Sequence, residues 1–155
     1  MALKMELLGE TQILVTRFFA APPATVYTAH TDPDLVAKWM LGPPGWALSV
    51  KSYDARPNGK IHLVWTHPDE GELALTGSFL ELEPPHKTVH TEQFQIGAPS
   101  PINTVTTHFE AEGDGCLLRV VIDMPDAQAR EETIAMGMEE GMEASYGQLD
   151  ALLSA

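Results

Sequence analysis

The sequence predicts an α+β fold: an antiparallel sheet, two short helices after its first strand, and one long helix at the C-terminal end. Three observations carry this expectation. Between Trp46 and Met124, short β-prone runs are separated by Gly, Pro and Asp turn signals at close spacing, the pattern of a strand meander. Beyond Pro125 the apolar period lengthens from two to between three and four. Two proline-punctuated segments stand between the first strand and the meander.

Taken in order, Thr11 to Phe19 contains Ile13, Val15 and Phe18 and reads as a first strand, ended by Ala-Ala-Pro-Pro at 20–23. Pro22-Pro23 opens a short helix. Thr31-Asp32-Pro33 starts another, with Thr31 or Asp32 as cap and Pro33 where its missing N–H has no partner to lose. That helix carries Leu35, Val36, Trp39 and Met40 until Gly42-Pro43-Pro44-Gly45 forbids continuation. Six strands follow, divided by Arg56-Pro-Asn-Gly59, His67-Pro-Asp-Glu-Gly71, Glu83-Pro-Pro-His86, Gly97-Ala-Pro-Ser-Pro101 and Glu112-Gly-Asp-Gly115. Alternation is clearest late: Val105, Thr107 and Phe109 share one face, and Leu118, Val120 and Ile122 share another, both expected to face the core. In the closing helix Met138, Met142, Ser145, Leu149 and Leu152 form the apolar stripe, with Glu139, Glu140, Glu143 and Asp150 mostly turned away. Gly137, Gly141 and Gly147 each cost about 1 kcal/mol against alanine in a helix interior. They imply close backbone approach to the sheet or room beside the helix.

At 155 residues and 44% hydrophobic content the chain is expected to form one domain over 1–155, with its core at about 10–153. Lys and Arg number 9 against 22 Asp and Glu, for a net charge of −13. Such a field repels phosphate backbones and anionic headgroups, which argues against nucleic-acid and membrane-surface roles. No apolar stretch is long enough to span a bilayer, and the N-terminal residues lack a secretory pattern. The single cysteine, Cys116, lies in an apolar run and cannot form an internal bridge, so a cytoplasmic location is expected.

Four segments resemble one family. Arg17-Phe-Phe-Ala-Ala-Pro-Pro-Ala-Thr-Val-Tyr-Thr-Ala-His-Thr-Asp-Pro-Asp-Leu-Val-Ala-Lys-Trp39 has its proline-ended strand, helix and T-D-P-x-x-x-x-x-W turn. Asp54-Ala-Arg-Pro-Asn-Gly59 resembles its D-x-R-P-G-G hairpin. Gly77-Ser-Phe-Leu-Glu-Leu-Glu-Pro-Pro-His-Lys-Thr-Val-His-Thr91 resembles its G-x-Y-L-E-V-x-P-P-x-R-L-V-x-T block. Gly137 to Leu153 resembles its G-M-x-x-G-W-x-x-x-L-x-x-L-x-x-L-L helix. In this order the segments resemble the AHSA-like family, homologues of the activator of the heat-shock-protein-90 ATPase, within the START/SRPBCC (polyketide-cyclase-like) superfamily. The resemblance implies a helix-grip fold: a curved antiparallel sheet holding the long C-terminal helix over its concave face, with a cavity between them. Three departures stand out. Met40 replaces a second tryptophan, Asn58 the first hairpin glycine, and Met142 the usual helix tryptophan, which implies a reshaped or enlarged pocket.

The function expected is therefore binding of a small hydrophobic molecule in that cavity. Trp39, Trp65, Thr91, Thr107, Phe109, Met138 and Met142 are the candidate lining, with the two threonines as orienting hydroxyls and the methionines as adaptable walls. Related folds include cyclases and hydrolases, so an enzyme using the same pocket is the alternative, with Glu81, Glu92, His90, His108, Tyr53 and Tyr146 as candidates. On alternation His108 and Glu110 point away from Phe109, and His90 away from Thr91, which argues against an inner His–Glu pair and against catalysis. A third alternative is a co-chaperone or stress-response interaction protein. It would use the outer sheet face or the acidic helix face, and a contiguous exposed apolar patch on the outer sheet would favour it. No metal motif, P-loop, G-x-S-x-G elbow or dinucleotide fingerprint is present, so no metal or cofactor is expected. His62, His90 and His108 lie on strands that can neighbour one another, at a register the sequence does not give. Partners reduce to the small molecule and a second copy of the chain, a homodimer; a chaperone partner is not expected, because the chain lacks the separate chaperone-binding domain of the eukaryotic activators.

Overall fold

The computed structural model describes residues 2–96 and 98–155. Nine strands and four helices follow in the order β1 (Lys4–Leu8), β2 (Gln12–Phe19), α1 (Pro23–Thr31), α2 (Pro33–Trp39), β3 (Ala47–Tyr53), β4 (Lys60–His67), β5 (Gly71–Glu83), β6 (Lys87–Ile96), β7 (Ala98–Pro99), β8 (Asn103–Glu112), β9 (Gly115–Asp123), α3 (Ala127–Ala135) and α4 (Met138–Leu153). The strands form one antiparallel sheet in the order β1-β2-β9-β8-β6-β5-β4-β3, with the two-residue β7 beside β6. Register shifts in β3 (Val50/Ser52) and β5 (Phe79/Glu81) bend the sheet, because an extra residue on one strand increases local twist. The curved sheet, the two early helices and the C-terminal helix are the helix-grip architecture.

Local chemistry sets the joints. Pro22-Pro23 starts α1, and the Asp32 side chain caps α2 by accepting from the Asp34 N–H at 2.9 Å. Asp126 caps α3 in the same way through Ala129 N at 2.8 Å. Asn58, in place of the family's glycine, holds φ at +69°, a left-handed conformation that asparagine tolerates.

Two expectations need correction at the chain ends. Lys4–Leu8 forms an edge strand that the sequence reading left unassigned. The closing helix is two helices, α3 and α4, because Gly137 adopts φ +87° and breaks the path. Gly137 therefore sits at the start of α4, not in a helix interior. Of the expected turn at 97–101, Gly97 lies outside the described residues.

Side chains of directly opposed residues share a face, so the register fixes which side of each strand meets the helices. Ile13, Val15, Arg17 and Phe19 on β2 oppose Ile122, Val120, Leu118 and Cys116 on β9. Ile122, Val120 and Leu118 in turn oppose Val105, Thr107 and Phe109 on β8. All are buried, and all but Arg17 and Thr107 pack with Val26, Tyr27, Ala29, Trp39, Tyr146 and Leu149 of α1, α2 and α4 in one apolar cluster. A smaller cluster, Ile61, Leu63, Leu75 and Phe79, occupies the β3–β6 end of the same face. Met40 packs against both. No helix among the described residues is long and apolar enough to cross a membrane.

Candidate functional site

Of the seven residues expected to line a cavity, three are solid core. Trp39 is 2% exposed, donates its indole N–H to Ala29 O at 2.8 Å and stacks on Tyr146 with centroids 6.1 Å apart. Phe109 is equally buried, edge-on to Tyr27 and His30, and Thr107 is buried beside Val120 and Thr88. Three others keep accessible surface on the helix-facing side. Trp65 is half-buried and donates Nε1–H to Met40 O at 2.9 Å, while Met138 and Met142 are half-buried on α4. The seventh, Thr91, is on the opposite, convex face. It opposes Ser78 and Thr104, and its hydroxyl accepts from the Ser78 N–H at 3.1 Å.

That assignment reverses the orientation expected for β6. Thr88, His90, Glu92 and Phe94 face the helices, because they oppose Thr107, Val105 and Asn103 on β8 and Phe79, Gly77 and Leu75 on β5. His90 and Glu92 thus form the inner pair that alternation argued against, Nε2 to Oε2 at 3.3 Å, with side chains 20% and 16% exposed. Their surroundings are aromatic and deep. The Phe79 ring is 6.0 Å from His90 and 5.4 Å from Tyr53, whose hydroxyl donates to His30 O at 2.7 Å. Burial raises the Tyr53 and Tyr146 phenols above their ordinary value, and the Glu92 carboxylate raises both further. Glu92 on β6 is therefore felt from the β3 side and from α4. His30 is held down to about 4, chiefly by burial, against its bond to Val26 O and with a further push from His90. His30 and Tyr53 nonetheless keep accessible surface.

The remaining enzymatic candidates do not join this group. His108 opposes Arg119 and Lys87 on the convex side, and Glu81 is exposed beside Lys87 at 3.5 Å. His62 opposes Thr76 and is convex too, so His62, His90 and His108 do not meet.

Arg17 is the residue the sequence reading passed over. Its guanidinium, 1% exposed, lies on the helix-facing side between two carboxylates of α4, with NH2 2.9 Å from Glu143 Oε2 and 2.8 Å from Asp150 Oδ2. Nε and NH1 complete a fork on each carboxylate, and Arg17 also lies 4.9 Å from the Phe19 ring centroid. Burial opposes the charge, but the bonds to Glu143 and Asp150 outweigh it and raise the guanidinium still further; Arg17 in turn lowers Glu143. Glu143 also accepts the Leu3 N–H. Glu143 and Asp150 are therefore turned toward the sheet, seven residues and two turns apart, contrary to the expectation. The available signal was Arg17 itself, in phase with Ile13, Val15 and Phe19.

α4 differs along its length. Ser145, Tyr146 and Leu149 are buried, whereas Met138, Gly141 and Met142 on the same stripe are half-buried. A methyl group added at Gly141 would meet nothing within 4 Å. The loop after α2 reaches the junction of the two halves, where Gly42 N–H donates to Ser145 Oγ at 2.9 Å.

Two clefts open on the surface. One, of about 370 Å³, lies by Tyr27, Thr31, Arg56, Leu82 and Pro84; the other, about 300 Å³, by Phe18, Asp150 and Leu153. Neither contains the inner pair or the expected lining. Large exposed apolar side chains among the described residues are Leu7, Leu80, Ile102 and Met136, on separate segments of the chain.

Comparison with solved structures returns the same architecture. A protein of Rhodobacter sphaeroides is 28% identical with a TM-score of 0.87, over 98% of this chain and 97% of its own. One from Mycobacterium smegmatis is 26% identical with a TM-score of 0.88, over 100% and 97%. A Chromobacterium violaceum protein is 28% identical with a TM-score of 0.79, over 94% and 98%. No curated protein matches. Residues 20–154 match the model of a family described as Activator of Hsp90 ATPase homolog 1-like protein.

Proposed function

The chain belongs to the Activator of Hsp90 ATPase homolog 1-like family, and from that premise we propose that it binds a small hydrophobic molecule between the β3–β6 end of the concave face and the first half of α4. The observation that carries this reading is the unfilled stripe of α4. Met138, Gly141 and Met142 keep accessible surface and open space where Ser145, Tyr146 and Leu149 are closed, and Met40, just after α2, touches both the cluster on which the two methionines pack and the one that carries Trp65, Tyr53 and Phe94. Apolar walls with a few converging polar groups are what a small-molecule site requires. Methionine at 142 leaves room that the family's tryptophan would occupy, and its flexible thioether adapts to varied guests. Trp39, Phe109 and Thr107 act behind this surface as its rigid backing. The setting is cytoplasmic, consistent with a buried free thiol at Cys116.

Native mass spectrometry of freshly purified protein, followed by melting curves with hydrophobic metabolites, tests the proposal. A retained molecule, or a melting shift that Met142→Trp abolishes, is expected, because a ligand preferring the folded state stabilises it. If nothing binds and Met142→Trp shifts nothing, the space is core and the reading fails.

The inner His90–Glu92 pair favours one second reading, acid–base catalysis on the same guest. The imidazole would be the proton carrier and Glu92 its orienting partner. Conversion of the retained molecule by wild-type protein but not by His90→Gln, followed by mass spectrometry, would support it; unchanged guest after long incubation would exclude it.

A further inference from the structure

Glu92 brings a negative charge to the helix-facing side of β6, opposite the buried amide of Asn103 on β8. Glu92 has only acceptors, so the nitrogen that faces it, His90 Nε2, is the donor. His30 Nδ1 is 2.8 Å from the carbonyl of Val26, so it too must carry the ring proton and Nε2 accepts. The Tyr53 hydroxyl has already given its proton to His30 O. Cations are missing as well. Of the nine Lys and Arg residues, those not exposed are Arg17, Lys87, Arg119 and Arg130. Arg17 is held by Glu143 and Asp150, Lys87 by Glu81 and Glu83, Arg119 by Glu110, and Arg130 by the carbonyls of Leu8, Gly9 and Gln12. A carboxylate in an aromatic recess thus has an imidazole as its one protein partner among the described residues.

A carboxylate beside the Phe79 and Tyr53 rings, with no Lys or Arg against it among the described residues, calls for a guest that donates and carries positive charge. Resting on the binding function proposed above, we infer that the site takes an apolar molecule ending in a protonated amine, its N–H groups directed to Glu92. An ammonium offers three donors and no acceptor. Aromatic faces attract it further, and a net charge of −13 draws cations toward the protein. A carboxylic acid of the same shape would meet like charge, and an alcohol would answer a single acceptor.

Calorimetric titration with 4-phenylbutylamine and its neutral counterpart 4-phenylbutanol, at neutral pH and 0.15 M salt to screen the general field, separates the two claims. The amine is expected to bind about tenfold or more tightly than the alcohol, the worth of a charge-assisted hydrogen bond. Glu92→Gln, a near-isosteric change, should bring the amine to the level of the alcohol and leave alcohol binding intact. Equal binding of the two probes by wild-type protein overturns the amine preference while keeping the pocket, and so does a preference that survives Glu92→Gln. Alcohol binding alone does the same. Binding of neither probe overturns both claims. The wild-type comparison stands even where the variant folds poorly.

Discussion

The two ends of the concave face are built from similar residues and packed differently. At the β2–β9–β8 end, Phe19, Phe109, Leu118 and Trp39 meet α1, α2 and the second half of α4 with almost no accessible surface. At the β3–β6 end Ile61, Leu63, Leu75 and Phe79 are the buried apolar cluster among the described residues, and Leu48, Val50, Trp65 and Phe94 are left half-covered. The difference follows α4, whose Tyr146 and Leu149 are buried in the first cluster, whereas the second contains no residue of α4 among the described residues. Close packing is thereby concentrated at one end.

The largest expected effect tests that division directly. Phe109→Ala should cost about 3–5 kcal/mol in urea unfolding, the usual price of a large cavity in close packing, and Phe94→Ala no more than about 2, since Phe94 already borders open space. Equal losses would erase the distinction. Arg17→Ala should cost about 3 kcal/mol, because it strips a fully buried partner from two carboxylates that keep some access to water. A loss below about 1 kcal/mol would mean that apolar packing alone holds α4.

His30 provides a pH test at the seam between the ends. Its ordinary value is 6.5 and its folded value about 4, so between these the unfolded chain binds a proton that the folded one does not. Its contribution is complete above pH 6.5 and is lost as pH falls toward 4, by up to about 3 kcal/mol. The facing imidazole of His90 and carboxylate of Glu92 are unchanged in His30→Gln, which should flatten this slope in melting curves between pH 7 and 4. The smallest effect concerns the open end: Gly141→Ala should stabilise by about 1 kcal/mol, through helix propensity without collision. Destabilisation there would show that the space beside Gly141 is needed.

How much of this was legible follows the same division. On β8 and β9 the alternation of Val105, Thr107 and Phe109 with polar residues, and of Leu118, Val120 and Ile122, set the inner face correctly. On β6 both parities are half-polar, Thr88, His90 and Glu92 against Val89, Thr91 and Gln93, so a one-residue error turned Thr91 inward and hid the His90–Glu92 pair. The inward Phe94 was the clue to the right parity. Arg17 was hidden for another reason, since its partners are 126 and 133 residues away and no local pattern announces them. The break between α3 and α4 needed a backbone angle at Gly137 that composition does not supply.

The ion cluster at Arg17 also dictates the order in which the molecule can be completed. β2 forms early in synthesis but finds β9 about a hundred residues later, and the guanidinium remains in water until α4 docks over it. Contacts this distant along the chain make for slow, late closure. Until Asp150 has emerged, the nascent protein holds a sheet whose apolar face awaits α4 and a charge on β2 that only α4 can answer.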